Sequence, residues 1–149
     1  MEGGKVYHRG LHLYGKKKHE ACSKVSSTCK QIKSFKDSST CSRCVSKLVF
    51  FTSGSGQYKH VGPVNDKLRA ILPLKVHGSP KLYVGEETVT LELDKFVVID
   101  DSFENAVVND KEGDLLLLVI DFNHPDLTDK EKKSSYSLNE YIKSKFVMY

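Results

Sequence analysis

Lys95-Phe96-Val97-Val98-Ile99-Asp100-Asp101-Ser102-Phe103-Glu104-Asn105-Ala106-Val107-Val108 is the stretch on which the fold turns. Lys95 to Ile99 is apolar and β-branched, the composition of a buried strand, and it meets an acidic turn followed by a second apolar run at Ala106 to Val108. Two structures suit such a unit. One is a plain hairpin with a solvated acidic tip. The other is a strand-turn-strand corner with polar side chains at the mouth of a small β barrel, a common place for ligands. In either, Asp100 and Asp101 are expected to cap the turn and face solvent rather than form an acid/base pair.

Outward from this stretch the chain keeps its β character. Val45 to Thr52, Leu68 to Val76, Lys81 to Val84, Thr88 to Leu93, Asn105 to Asn109 and Leu115 to Phe122 are further short strand candidates, separated by Gly, Pro, Asn and Asp. That succession describes a sandwich or jelly roll. Earlier in the chain, Lys5 to Tyr14 alternates apolar and polar residues and predicts an edge strand. Ala21, Val25, Cys29 and Ile32 recur at helical spacing and predict one amphipathic helix over Glu20 to Phe35, and the Ser/Thr-rich Lys36 to Arg43 reads as a loop. Residues 1–127 read as a single domain. Residues 128–149 read as a charged, partly helical tail beginning at Thr128, with Leu138, Tyr141, Ile142 and Lys145 along one weak face.

A chain of 149 residues can bury a real core as one domain. Its net charge of +4 is modest, and the lysines at Lys16 to Lys18 and Lys130 to Lys133 lack an accompanying aromatic or arginine pattern. They are expected to be solvated faces, with no nucleic acid as partner. The longest apolar run, Leu115 to Ile120, is too short to span a bilayer, so no membrane segment or export signal is read in this chain. Cysteines 22, 29, 41 and 44 fit a disulfide pair, a four-thiolate zinc site or free thiols, and the spacing leaves all three open.

Three blocks carry a family resemblance: His60-Val-Gly-Pro63-Val-Asn65 followed by Leu68-Arg69, then Val98 to Glu104, then Ile120-Asp121 with His124-Pro125. With them, Cys22 to Pro125 resembles the catalytic domain of the aspartyl/asparaginyl β-hydroxylases. Those are iron(II)- and 2-oxoglutarate-dependent enzymes of the endoplasmic reticulum lumen that hydroxylate Asp and Asn in EGF-like domains. The resemblance implies a mostly β fold with flanking helices, a double-stranded β-helix (jelly roll, cupin-like). It also implies a lumenal location, although the chain shows neither signal nor anchor.

Iron(II) oxygenases leave coordination positions open for cosubstrate and dioxygen, so few protein ligands hold the metal, and this family is expected to use two histidines. By resemblance the first is His60 and the second falls on Asn105, whose neutral amide is a poor donor beside imidazole. The 2-oxoglutarate contacts fall on Val49, Ile71 and Leu115, where the family has a serine, a histidine and an arginine; Arg69, another active-site position, is retained. All three replacements are aliphatic. They are expected to fill the former cosubstrate pocket, each contributing roughly 1.5–3 kcal/mol if fully buried.

Other histidines have plainer readings. His60 beside Gly-Pro also suits a hydrogen-bonded loop residue, and His77 lies in a Gly-Ser-Pro turn expected to be exposed. His124-Pro125-Asp126 imitates a His-x-Asp ligand pair but lies past the barrel strands of the resembled family. The resemblance further implies a Cys22–Cys29 disulfide near the active-site entrance. Such a bridge requires the predicted helix to break near Ser26 to Cys29, because residues seven apart on a continuous helix are too distant to join.

The expected protein is a catalytically inactive relative with no cofactor, its barrel serving as an interaction module for a peptide or an EGF-like protein segment. The alternative is an active iron(II)/2-oxoglutarate-dependent peptidyl-Asp/Asn β-hydroxylase with an altered metal site.

Overall fold

In a computed structural model, residues 4–132 are described; residues 133–149, and so most of the expected tail, lie outside them. In chain order the elements are β1 (Val6–Leu13), β2 (Lys16–Lys17), α1 (His19–Lys24), α2 (Ser26–Ser34), α3 (Lys36–Ser39), β3 (Val45–Phe51), β4 (Lys67–Lys75), β5 (Lys81–Val84), β6 (Glu87–Thr90), β7 (Val97–Ile99), β8 (Asn105–Val108) and β9 (Leu115–Asn123). The strands form an antiparallel six-stranded sheet, β2-β1-β3-β9-β4-β7, and a three-stranded sheet, β6-β5-β8.

The opening stretch is the corner between these sheets. β7 pairs with β4 in the large sheet, and β8 pairs with β5 in the small one, so the acidic turn hands the chain across and no hairpin forms. The expected buried strand at Lys95 to Ile99 shrinks to Val97–Ile99 on a sheet edge, with Val98 and Phe96 exposed because no further layer among the described residues covers that side.

Strand alternation then builds the core. On β9, Leu115, Leu117 and Val119 point between the sheets, where they pack with Val49 and Phe51 of β3, Ile71 of β4, Leu82 of β5 and Val107 of β8. Leu118 points the other way, into a second cluster with Leu11, Ala21, Cys22, Cys29 and Ile32 beneath the helices. Burial on both faces explains why β9 reads as an unbroken apolar run.

Three expectations need correction. The single helix is two, because Val25 adopts φ −135° and ψ 52°, which no helix accommodates. The break falls one residue ahead of the Ser26 to Cys29 window and lets Cys22 and Cys29 approach to a Cα separation of 5.7 Å, against the roughly 10 Å that seven residues of helix would impose. The expected loop at Lys36 to Arg43 contains α3, whose neighbouring hydroxyls bond back to carbonyls (Thr40 Oγ1 to Lys36 O, 2.6 Å; Ser39 Oγ to Lys33 O, 3.0 Å) instead of breaking the helix. Finally, β1 is not the edge. Tyr14 and Gly15, with φ of 56° and 82°, form a tight two-residue turn that lays Lys16–Lys17 alongside as a short, charged edge strand.

Cys41 and Cys44 form a second disulfide, so no thiolate among the four is left for a zinc site. Replacing both Cys22 and Cys29 with alanine is expected to lower stability by about 2.5 kcal/mol, the loop-closure contribution of so short a ring. Urea unfolding of the variant against the oxidised chain measures it. No described helix is long and apolar enough to cross a membrane.

Candidate functional site

The corner after β7 positions the site. Asp100 caps the turn as expected, accepting from Ser102 N (3.0 Å) and Ser102 Oγ (2.7 Å). Asp101 does not: it is buried, because Lys67 and Arg69 lie inside the barrel mouth and need carboxylates. Gly62 donates its amide to Asp101 O at 2.6 Å, and a Cβ there would strike the Asp101 carboxylate. The His60 to Pro63 loop therefore closes over the turn only with glycine at 62.

Asp121 is the hub. Arg69 grips it with two hydrogen bonds (Nε to Oδ1 2.7 Å, Nη2 to Oδ2 3.1 Å), Lys67 Nζ reaches Oδ2 at 2.6 Å, and Val45 N donates to Oδ2 at 3.2 Å. Lys67 also bonds Asp101 at 3.3 Å, so that buried Lys67 and partly buried Arg69 are balanced by two buried anions. Burial alone would push the Asp121 carboxyl up. The hydrogen bond and charge of Arg69, with Lys67, outweigh it and hold the group below the usual carboxylate range.

Beside this cluster lies a cavity of about 110 Å³ whose wall includes His8, Lys47, Gln57, His60, Arg69 and Asn105 above an apolar floor. Strand register explains the composition. On the inward row, Lys47, Val49 and Phe51 follow one another on β3, and Lys67, Arg69 and Ile71 on β4, so charge gives way to aliphatic side chains with depth. Lys47 has no ion-pair partner within reach among the described residues. Burial lowers its affinity for a proton, and Arg69 and Lys67 lower it further against the opposing pull of Asp121 and Asp101. His8 is lowered likewise, by burial and then by Lys47, Arg69 and His60.

The residues singled out from the sequence divide into three groups. His60 and Asn105 face one another across a bridge (His60 N to Asn105 O 3.0 Å; Asn105 N to His60 O 2.8 Å), and Arg69, Val49 and Ile71 line the same cavity. Leu115 is wholly buried in the core cluster and does not line the cavity. The Cys22–Cys29 bridge lies in the cluster against the opposite face of the six-stranded sheet, not at the cavity mouth, because Leu118, its neighbour, points away from Leu117 and Val119. His77 is exposed, as expected, bonded to Asp114 O, and His124 accepts from the Asp126 amide outside the cavity. His8, Lys47, Lys67 and Asp121 were given no role from sequence, and Asp101 was given that of a solvated cap, which its burial against Lys67 corrects. A charged residue in phase with buried positions, such as Asp121 after Leu115, Leu117 and Val119, is the signal that marks such a cluster.

At Asn105, where the resemblance puts the second histidine, the side chain offers a ferrous ion no imidazole. The Asn105 amide nitrogen donates to the carbonyls of Phe103 (2.9 Å), Asp101 (3.3 Å) and His60 (3.4 Å), which makes it a brace for the corner. The cavity wall carries basic side chains and no carboxylate. Among the described residues no three His, Cys, Asp or Glu gather to hold a metal.

A two-sheet jelly roll with a polar mouth is the cupin-like class. The Cupin_2 domain of an XRE family transcriptional regulator from Enterobacter cloacae superposes with TM-score 0.54 at 8% identity, over 80% of this chain and 97% of that one. A predicted oxalate decarboxylase from Thermotoga maritima gives 0.51 at 14% identity, over 83% and 87%. These likenesses concern the fold alone. Within that class the model of the aspartyl/asparaginyl β-hydroxylase family matches residues 7–125, and the chain belongs to that family. It is 32% identical over 125 residues to the mouse aspartyl/asparaginyl β-hydroxylase and 31% identical to the human one, covering 83% of this chain in both cases. It spans about a sixth of the length of those relatives (17% and 16%). The family match starts on β1, ahead of Cys22 where the sequence motifs begin, and so includes His8.

Proposed function

We propose that this chain is a catalytically inactive member of its family whose barrel mouth binds an acidic side chain of a peptide or protein segment, without iron or 2-oxoglutarate. The observation that carries the reading is Lys47, a half-buried cation in the cavity wall, beside Arg69, with no carboxylate in ion-pair contact among the described residues. A cavity of 110 Å³ is below the roughly 150 Å³ that admits a benzene ring, which suits a carboxylate head better than a whole keto-diacid. The relatives are named for aspartyl and asparaginyl residues, and an aspartyl side chain presented on an EGF-like segment is the first ligand to try.

The test is titration of the full chain with two EGF-like peptides that differ only in Asp or Asn at the centre. The Asp peptide is expected to bind more tightly, and Lys47→Met to weaken it by about tenfold, one charge-assisted hydrogen bond. Because Lys47 holds its proton less well than a free lysine, binding should fade on raising the pH at a value below that of an ordinary lysine. Equal affinity for both peptides, unaffected by Lys47→Met, would defeat the reading.

One observation favours the rival. His8 and His60 share the cavity, so an active enzyme with an altered metal site could draw its second imidazole from His8. Succinate released from 2-oxoglutarate in step with hydroxylated peptide, in the presence of ferrous iron and lost in His8→Ala, would establish that rival instead.

A further inference from the structure

The cavity has two unlike walls. On the large-sheet side stand the cations, Lys47 of β3 and Arg69 of β4. On the small-sheet side stand Asn105, which opens β8, His60, which bridges to it, and Gln57, whose backbone N–H donates to Val107 O at 2.8 Å. A carboxylate satisfies the first wall alone.

The free groups of the second wall can be assigned atom by atom. The carbonyls of Phe103, Asp101 and His60 all face one end of the Asn105 side chain, and a carbonyl only accepts, so that end is the nitrogen. The oxygen lies at the other end. Asn105 is 5% exposed, yet no described residue donates to its Oδ1 and the atom is not sealed from solvent, so the cavity it lines is where that oxygen is open. Gln57 is fixed in the opposite sense. Its Oε1 accepts from Val107 N at 3.3 Å, and Nε2 is therefore the end without a partner among the described residues. The wall offers an acceptor beside a donor, which is the complement of a peptide unit.

We propose that the cavity binds an aspartyl residue by its backbone as well as its side chain, Asn105 Oδ1 accepting the residue's own N–H while Lys47 and Arg69 hold the carboxylate. This rests on the reading of the cavity as a carboxylate site and adds the partner, an aspartyl residue within a polypeptide. In such a residue three bonds separate the amide nitrogen from the carboxylate carbon, so both groups reach one small cavity, and Gln57 Nε2 meets a carbonyl of the same segment. A free amino acid brings an ammonium instead of an amide, and Lys47 and Arg69 repel it. The rim favours a polypeptide too. Tyr58 and Val61 flank His60, Phe103 precedes Asn105 by two residues, and all three are more than half exposed. The residue that stands where the resemblance puts a second imidazole thus has a ligand-binding task of its own, its nitrogen holding the corner and its oxygen the partner.

The test titrates the full chain with the Asp-centred EGF-like peptide and with its malyl counterpart, in which an ester oxygen replaces the N–H of that one residue. The malyl peptide is expected to bind about tenfold more weakly, the size of one hydrogen bond. In Asn105→Ala the two should bind alike. Because that variant also loses a brace and can fail to fold, the native chain supplies a second readout: at saturation the Asn105 carboxamide resonances should move further with the aspartyl peptide than with the malyl one. Equal affinity of the native chain for both peptides, with Asp still preferred to Asn, overturns the inference and leaves the carboxylate reading standing. Equal movement of those resonances overturns it, as does a malyl penalty that persists in folded Asn105→Ala, because the N–H is then met elsewhere. Asp and Asn peptides binding equally would remove the carboxylate reading first and this inference with it. Free aspartate competing as well as N-acetylaspartate N-methylamide overturns the polypeptide partner.

Discussion

Asp121→Asn is expected to destabilise the protein by roughly 3–5 kcal/mol, the cost of leaving buried cations without their counter-charge. Asp121 is fully buried and is shared by Arg69 and Lys67, and with its charge gone only Asp101 faces both. Asparagine keeps the shape and loses the charge, so the loss reports electrostatics and not a cavity. Adding Lys67→Met to Asp121→Asn restores equal numbers of cations and anions and should recover part of the stability. The pH dependence has a definite sign. Because Asp121 titrates below the ordinary carboxylate value in the folded chain, its contribution is present above the unfolded value, near pH 4, and is lost as pH falls through the folded one. Urea midpoints measured between pH 7 and pH 2.5 should therefore fall in acid for the native chain, with a shallower fall for Asp121→Asn. Matching acid slopes, or a loss below 1 kcal/mol, would mean that water reaches the cluster and screens it.

That cluster also shows where sequence reasoning stops. Strand positions were legible to within one or two residues over β3, β4, β5, β8 and β9, because their side chains alternate between two packed surfaces or between a surface and solvent. The break at Val25 was legible only as a condition of the Cys22–Cys29 bridge, since a β-branched residue within a helical pattern does not by itself announce a stop. α3 was hidden by its composition: serine and threonine read as loop formers until their hydroxyls are seen bonding to carbonyls of α2 and of α3 itself. At the site, motif blocks located His60, Arg69 and Asn105 around one cavity. They gave no hint of His8, which arrives from β1, more than fifty residues before Asn105 in the chain, through the β1–β3 pairing. Nor did they tell Asp100 from its neighbour Asp101. The chain turns at this pair, so one carboxylate caps the turn through Ser102 and the other is buried against Lys67.

Leu115→Arg is expected to be the most damaging single change that restores a family residue. The sequence resemblance implies an arginine at this position that would pair with the carboxylate of 2-oxoglutarate, and an enzyme whose site had merely lost that ligand should tolerate its return. Here Leu115 is fully buried with Leu117, Phe51 and Val107 and does not line the cavity, so a guanidinium has neither water nor carboxylate within the apolar cluster. The stability lost combines the apolar packing of a buried leucine, roughly 1.5–3 kcal/mol, with a desolvation penalty of several kcal/mol for the charge. Together these approach the whole stability of a typical domain, about 5–15 kcal/mol. The variant is therefore expected in the insoluble fraction or with its urea midpoint collapsed, whereas Leu115→Met, of similar volume and no charge, should cost less than about 1.5 kcal/mol. If Leu115→Arg folds normally and is further stabilised by 2-oxoglutarate, the position opens onto a cosubstrate site after all, and the inactive reading of the barrel mouth fails with it. If it unfolds while Leu115→Met does not, the aliphatic residue has become part of what holds the two sheets together. Packing would then support the proposed inactive reading independently of the side chain at Asn105.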